Sequence, residues 1–230
     1  MKLVFVGDSL TAAVPGVSFV EMVKAAYPND EVLNYGKGGD TVTSLNTRML
    51  EMRVAKDIDI MFVCIGINDV FVQTGWWHPT LKIVMKQPWV KDKAAFYLAY
   101  HTLITTLLPL TNRLVLIPPL FVGEDVTNKS NKQLAEYFAE VQSLIELYQL
   151  QVLPVRDKMI EILANKKISK YVPKRLGQLR KDVIKLTSPE LVDAAATKRG
   201  LHLTLDGVHL NSAGAAIVFE EINQYLKEKL

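Results

Sequence analysis

The stretch Ile58-Asp59-Ile60-Met61-Phe62-Val63-Cys64-Ile65-Gly66-Ile67-Asn68-Asp69 decides the fold. From Ile58 to Ile65 it is an apolar run, and it ends in a glycine followed by polar residues. A continuous run of this kind suits a strand buried on both faces of a parallel sheet. The polar residues after it lie where an open parallel sheet binds its ligands, at the carboxyl end of the strand. Cys64, the single cysteine, sits inside the run and has no partner for an internal disulfide. It is expected to be a small buried residue rather than a reactive thiol.

The same alternation extends in both directions. Toward the N-terminus, Lys2 to Val6 predicts a strand ending at Gly7, and Val17 to Tyr27 a helix through Phe19, Val20, Val23 and Ala26. Glu31 to Tyr35 predicts a second strand and Val42 to Val54 a helix. Toward the C-terminus, Ala94 to Leu110 predicts a helix, and Arg113 to Ile117 a strand stopped by Pro118 and Pro119. Asn131 to Leu150 predicts one long amphipathic helix, Gln151 to Val155 a fifth strand, and residues 212 to 229 a last helix with Ile217, Val218, Ile222 and Leu226 on one face. Alternating strands and helices imply right-handed crossovers and an α/β fold with a parallel sheet covered on both sides.

The chain has 230 residues, 49% hydrophobic and 22% charged, which fits one globular domain over residues 1–230. Two segments break the rhythm and are expected to be insertions. Residues 71–93 hold all three tryptophans, Trp76, Trp77 and Trp89, and residues 156–200 hold a dense basic block. The apolar start at Met1 is too short for a signal peptide and runs directly into Gly7-Asp8-Ser9, so the expected location is cytoplasmic, the alternative being a leader already removed.

Three polar, glycine-bearing segments fall directly after predicted strands: Gly7-Asp8-Ser9-Leu10, Gly36-Lys37-Gly38-Gly39-Asp40-Thr41 and Gly66-Ile67-Asn68-Asp69. Ser9 at a strand-to-helix turn suits an activated hydroxyl, although a serine there also serves as a plain helix N-cap. A nucleophile needs a base. Of His78, His101, His202 and His209, only His209 has a carboxylate at a useful spacing, in Asp206-Gly207-Val208-His209. There the carboxylate can orient the imidazole that takes the serine proton. The bland alternative is an Asp-Gly turn beside an unrelated histidine. Backbone N–H groups of Ser9 and of a loop glycine, with the Asn68 amide, are candidates for stabilising an oxyanion; a structural turn and an Asx-turn are the alternatives.

In this order the segments Gly7-Asp8-Ser9-Leu10-Thr11, Asn34 to Thr41, Gly66-Ile67-Asn68-Asp69 and Asp206-Gly207-Val208-His209-Leu210-Asn211 resemble the four blocks of the SGNH, or GDSL, hydrolases, centred on Ser, Gly, Asn and His. The resemblance implies a flavodoxin-like, three-layer α/β/α sandwich with a five-stranded parallel sheet. It implies an esterase or acylhydrolase with Ser9, His209 and Asp206 as triad. It also implies an oxyanion hole of Ser9, Gly39 and Asn68, with Gly38 as the neighbouring alternative to Gly39. Ala13 stands where that family often has a glycine. Asp8 and Asp69 are expected to support the loops.

No cofactor is called for, and the expected partner is a small-molecule ester: a lipid, an acetylated sugar or an aryl ester. Trp76, Trp77 and Trp89 either line the rim of the cleft or anchor a long loop. From Lys166 to Lys185 eight basic residues face the single acidic Asp182. This block either binds an anionic surface weakly or solvates one face of a packed helix. Nucleic acid is not expected, since Tyr171 is the only aromatic in the block. Two rival readings are a metal-dependent phosphoesterase using Asp8, Asp40, Asp69, Asp206 and His209, and a non-catalytic module whose glycine loop cradles phosphate.

Overall fold

The structure is a computed structural model, and it describes residues 1–51, 57–74, 82–83, 87–172 and 176–229. Five strands, β1 (Lys2–Gly7), β2 (Glu31–Gly36), β3 (Ile60–Cys64), β4 (Leu114–Ile117) and β5 (Gln151–Val152), form one sheet in the order β2-β1-β3-β4-β5, every pairing parallel. β3 and β4 are buried along their whole length, whereas β2 and β5, at the sheet edges, are partly exposed. The continuous apolar runs are therefore the interior strands.

The described α-helices are α1 (Ser9–Ala12), α2 (Phe19–Ala26), α3 (Val42–Glu51), α4 (Ile67–Thr74), α5 (Lys93–Leu107), α6 (Lys129–Ala139), α7 (Gln142–Leu147), α8 (Val155–Ala164), α9 (Leu176–Lys185), α10 (Pro189–Lys198) and α11 (Ser212–Lys227), and a 3-10 turn, Leu108–Leu110, follows α5. They pack in two sets, α2, α8 and α10 around α11, and α3 and α6 around α5, which gives the three-layer α/β/α sandwich. Phe5 and Phe62 are register partners on β1 and β3 and stack at 4.9 Å. Phe19 of α2 and Tyr225 of α11 meet this pair edge-on. In the other layer Phe96 of α5 packs on Tyr137 of α6 at 5.3 Å. Such aromatic contacts add about 0.5–1.5 kcal/mol each beyond the area they bury.

One expectation changes, and the two segments expected to be insertions carry regular structure. The helix expected over 131–150 is two helices, because i to i−3 bonds, Val141 N to Phe138 O and Leu144 N to Val141 O, both 3.0 Å, tighten the chain between α6 and α7. Val141 is fully buried at this turn, so the apolar periodicity runs across the break. Residues 71–74, expected to open an insertion, continue α4. Residues 156–200 carry most of α8 and all of α9 and α10, and α8 and α10 pack against α11. Among the described residues no helix is long and apolar enough to cross a membrane.

Candidate active site

Gly7, the last residue of β1, pairs with Gly36 of β2 on one side and Cys64 of β3 on the other, so three adjacent strands end level. The segments they release meet above β1 and β3, where the strand order reverses and open α/β sheets form their ligand crevice. A side chain at Gly7 would collide with the Cys64 carbonyl and Thr11 Oγ1. Asp8, not Ser9, is the N-cap of α1, its Oδ1 accepting from Leu10 N at 2.9 Å. That leaves the Ser9 hydroxyl uncommitted to the helix. Ala13 closes α1 in the left-handed region at φ 55, a conformation that favours glycine.

The other half of the site comes from the loop before α11. Glu124 is fully buried, and its carboxylate accepts from the N–H groups of His202, Leu203 and Thr204 and from Thr204 Oγ1. Gly207 N–H donates to Thr204 Oγ1 at 3.1 Å, and Gly123 N–H donates to the Gly207 carbonyl at 2.6 Å. On this platform Asp206 Oδ1 accepts from Val208 N (3.0 Å) and His209 N (2.8 Å), while Oδ2 meets His209 Nδ1 at 2.8 Å. His209 Nε2 lies 3.0 Å from Ser9 Oγ. Ser9, Asp206 and His209 are all buried.

Burial works to lower the His209 pKa, but the charge and hydrogen bond of Asp206 outweigh it and leave the imidazole above its ordinary value. Burial likewise works to raise Asp206, and His209 with the two backbone N–H groups holds it below the usual carboxylate range. The pair is electrostatically arranged to accept a proton on His209 Nε2.

Asn68 lies in the first turn of α4 and is half-buried. Its Nδ2 donates to the Asp40 carbonyl at 3.0 Å and to Asp8 Oδ2 at 3.3 Å, so one amide ties together all three strand-end segments. Gly39 has a φ of 79, whereas Gly38 has open space around it.

The carboxylates of the rival metal reading are engaged separately. Asp40 is paired with Arg48 at 2.8 Å and accepts from Ser44 Oγ, and Asp69 Oδ2 accepts from Val42 N at 3.0 Å. Burial pushes Asp8 up to about 6 and Asp69 up to about 7. Among the described residues no three His, Cys, Asp or Glu side chains are grouped to hold a metal ion.

The remaining candidates stand apart. His101 meets Tyr148 Oη through Nε2 at 2.8 Å, and His202 Nε2 meets the Lys167 carbonyl at 3.0 Å. Trp89 is half-buried, while Trp76, Trp77 and His78 lie outside the described residues. In the basic block Asp182 is buried against Arg199 at 2.7 Å, whereas Arg180, Lys181 and Lys185 are exposed. Glu124, Lys82 and Gln87 were given no role by the sequence. Each carries a polar side chain in a segment without periodicity, and nothing local marks it as buried.

The level strand ends carry a buried Asp–His–Ser chain on a three-layer α/β/α sandwich. The model of the GDSL-like Lipase/Acylhydrolase family matches residues 5–217, and the chain belongs to that family of carboxylic ester hydrolases. An acetylxylan esterase of Geobacillus stearothermophilus is 27% identical over 167 residues, 63% of this chain and 71% of that protein. The crystal structure of an acetylxylan esterase from the same organism superposes with a TM-score of 0.66 at 20% identity, covering 97% of this chain and 92% of that one. An alpha/beta hydrolase enzyme from the metagenome of Lake Arreo, Spain, gives a TM-score of 0.66 at 18% identity, covering 97% and 93%. These likenesses confirm the sandwich.

Proposed function

We propose that the chain hydrolyses short-chain acyl esters through an acyl-Ser9 intermediate, with O-acetyl groups on sugars as the favoured substrates. The observation that carries the reading is the unbroken series Ser9 Oγ, His209 Nε2, His209 Nδ1 and Asp206 Oδ2, at 3.0 and 2.8 Å. His209 takes the Ser9 proton as Oγ attacks the ester carbonyl, then returns it to the leaving alcohol. Water repeats the sequence on the acyl enzyme and releases the acid. The oxyanion is held by the N–H groups of Ser9 and Gly39 and by Asn68, whose longer bond to Asp8 is the one it displaces.

Two features of relatives support this reading. The curated relative is an acetylxylan esterase. Structures of the esterase of that name include catalytic mutants of a serine, a histidine and an aspartate, the aspartate three residues before the histidine, as Asp206 stands before His209.

Ser9→Ala is expected to abolish hydrolysis of an aryl acetate while leaving the thermal unfolding curve in place, and a fluorophosphonate is expected to label Ser9. Turnover retained by the folded variant would refute the assignment. Acetate release from acetylated xylo-oligosaccharides, compared with butyryl and octanoyl aryl esters, tests the substrate class.

A further inference from the structure

Two buried polar side chains beside the site take no part in the Ser9–His209–Asp206 series. Lys82 is 4% exposed and Gln87 is 3% exposed. Gln87 N–H donates to the Lys82 carbonyl at 2.9 Å, and Lys82 Nζ donates to Gln87 Oε1 at 3.3 Å. Both side chains grip one distant loop. Gln87 Nε2 donates to the Gly38 carbonyl at 3.0 Å, and Lys82 Nζ donates to the Gly39 carbonyl. Thr41 Oγ1 donates to the Pro88 carbonyl alongside. A buried ammonium is costly to a fold, and an apolar side chain would fill the same space more cheaply. What an apolar side chain cannot do is hold a carbonyl.

A peptide unit is planar and trans, so its C=O and N–H point in opposite directions. The Gly38 carbonyl and the Gly39 N–H belong to one such unit. Gln87, fixing the carbonyl, therefore fixes the direction of the N–H. The next unit is held at both ends, by Lys82 on the Gly39 carbonyl and by the Asp40 N–H donating to the Lys37 carbonyl at 3.1 Å. Two successive glycines have no side chains of their own to stiffen the loop, so the restraint comes from outside it.

We infer that Lys82 and Gln87 are positioning residues that aim the Gly39 N–H at the oxyanion. Lys82 faces the carboxylates of Asp69, Asp8 and Asp40, and burial pulls its ammonium down to about 8 against their charge. The inference rests on the proposed role of Gly39 as an oxyanion donor.

The test uses Lys82→Met and Gln87→Met, which keep the length of the side chain and remove the donor. Each is expected to lower kcat for an aryl acetate by about 10- to 100-fold, short of the roughly 10²–10³-fold loss on removing a donor outright. KM is expected to stay within about 2-fold, because the ester carbonyl of the ground state demands less of the donor than the oxyanion does. An arylboronic acid, which forms an anionic tetrahedral adduct on Ser9, is expected to lose affinity by the same factor as kcat/KM. A fall in kcat with unchanged boronate affinity would overturn the inference. So would unchanged kinetics, or a variant that fails to fold, which would make the pair a structural prop. Ser9→Ala separates the two readings. If it stays active the site assignment fails; if it is inactive while the boronate binds both Met variants as tightly as wild type, the positioning role alone fails.

Discussion

The Glu124 carboxylate accepts hydrogen bonds from both the backbone N–H and the hydroxyl of Thr204, each at 2.8 Å. Together with the bonds from His202 and Leu203, this makes a side chain 80 residues away the template for the loop that presents Asp206 and His209. Glu124→Ala would leave several buried donors without acceptors, each unsatisfied group costing about 1–3 kcal/mol. The expected loss is about 3 kcal/mol or more, read by thermal melting as a fall of roughly 6–12 °C for a chain of this size. Esterase activity is expected to fall further than the unfolded fraction explains, because the loop shifts even where the domain stays folded.

The Asp206–His209 contact sets a pH dependence. The proposed mechanism needs neutral His209, and its pKa is raised, burial opposing the shift and Asp206 imposing it. Activity is therefore expected to rise with pH along a limb whose apparent pKa lies above the ordinary value of about 6.5. Asp206→Asn removes the charge that raises it, so the imidazole titration followed by NMR is expected to move downward, with a rate loss on the order of 10⁴-fold. An imidazole that titrates identically in both proteins would contradict the coupling.

The two loop glycines are expected to behave differently. A Cβ on Gly39 would meet Gln87 Oε1 at 2.7 Å and Lys82 Nζ at 3.2 Å, and the residue already sits at φ +79. A Cβ on Gly38 would meet nothing within 4 Å. Gly38→Ala should retain kcat within about 3-fold, and Gly39→Ala should lose about 10²-fold or more, comparable with loss of an oxyanion donor. Steady-state kinetics on an aryl acetate, with melting curves as the control, would distinguish them, and a larger loss at Gly38 than at Gly39 would argue for Gly38 instead.

The sheet was legible because interior strands carry uninterrupted apolar runs, and β1, β3 and β4 announce themselves in Leu3 to Val6, Ile60 to Cys64 and Leu114 to Ile117. That Ser9, Asn68, Asp206 and His209 are candidates was legible because Ser9 and Asn68 closely follow those runs and Asp206 stands three positions before His209. The break at Val141 was hidden, since a turn that buries its own apolar residue leaves the periodicity intact. Glu124, Lys82 and Gln87 were hidden for a different reason. A carboxylate, an ammonium and an amide in irregular segments read as solvated surface, and only the folded chain brings them to backbone groups some 40 to 80 positions away.

The 200 positions that separate Ser9 from His209 have a consequence for the protein's history in the cell. At a synthesis rate of about 5–20 residues per second, Ser9 leaves the ribosome roughly 10 to 40 seconds before His209, its base in the proposed mechanism. On that mechanism the nascent chain holds an inert alcohol throughout the interval, and ester cleavage begins only when the closing segment docks onto a sheet built from the opening ones. On the same mechanism a chain cut short before His209 shows no turnover, whatever the state of its sheet.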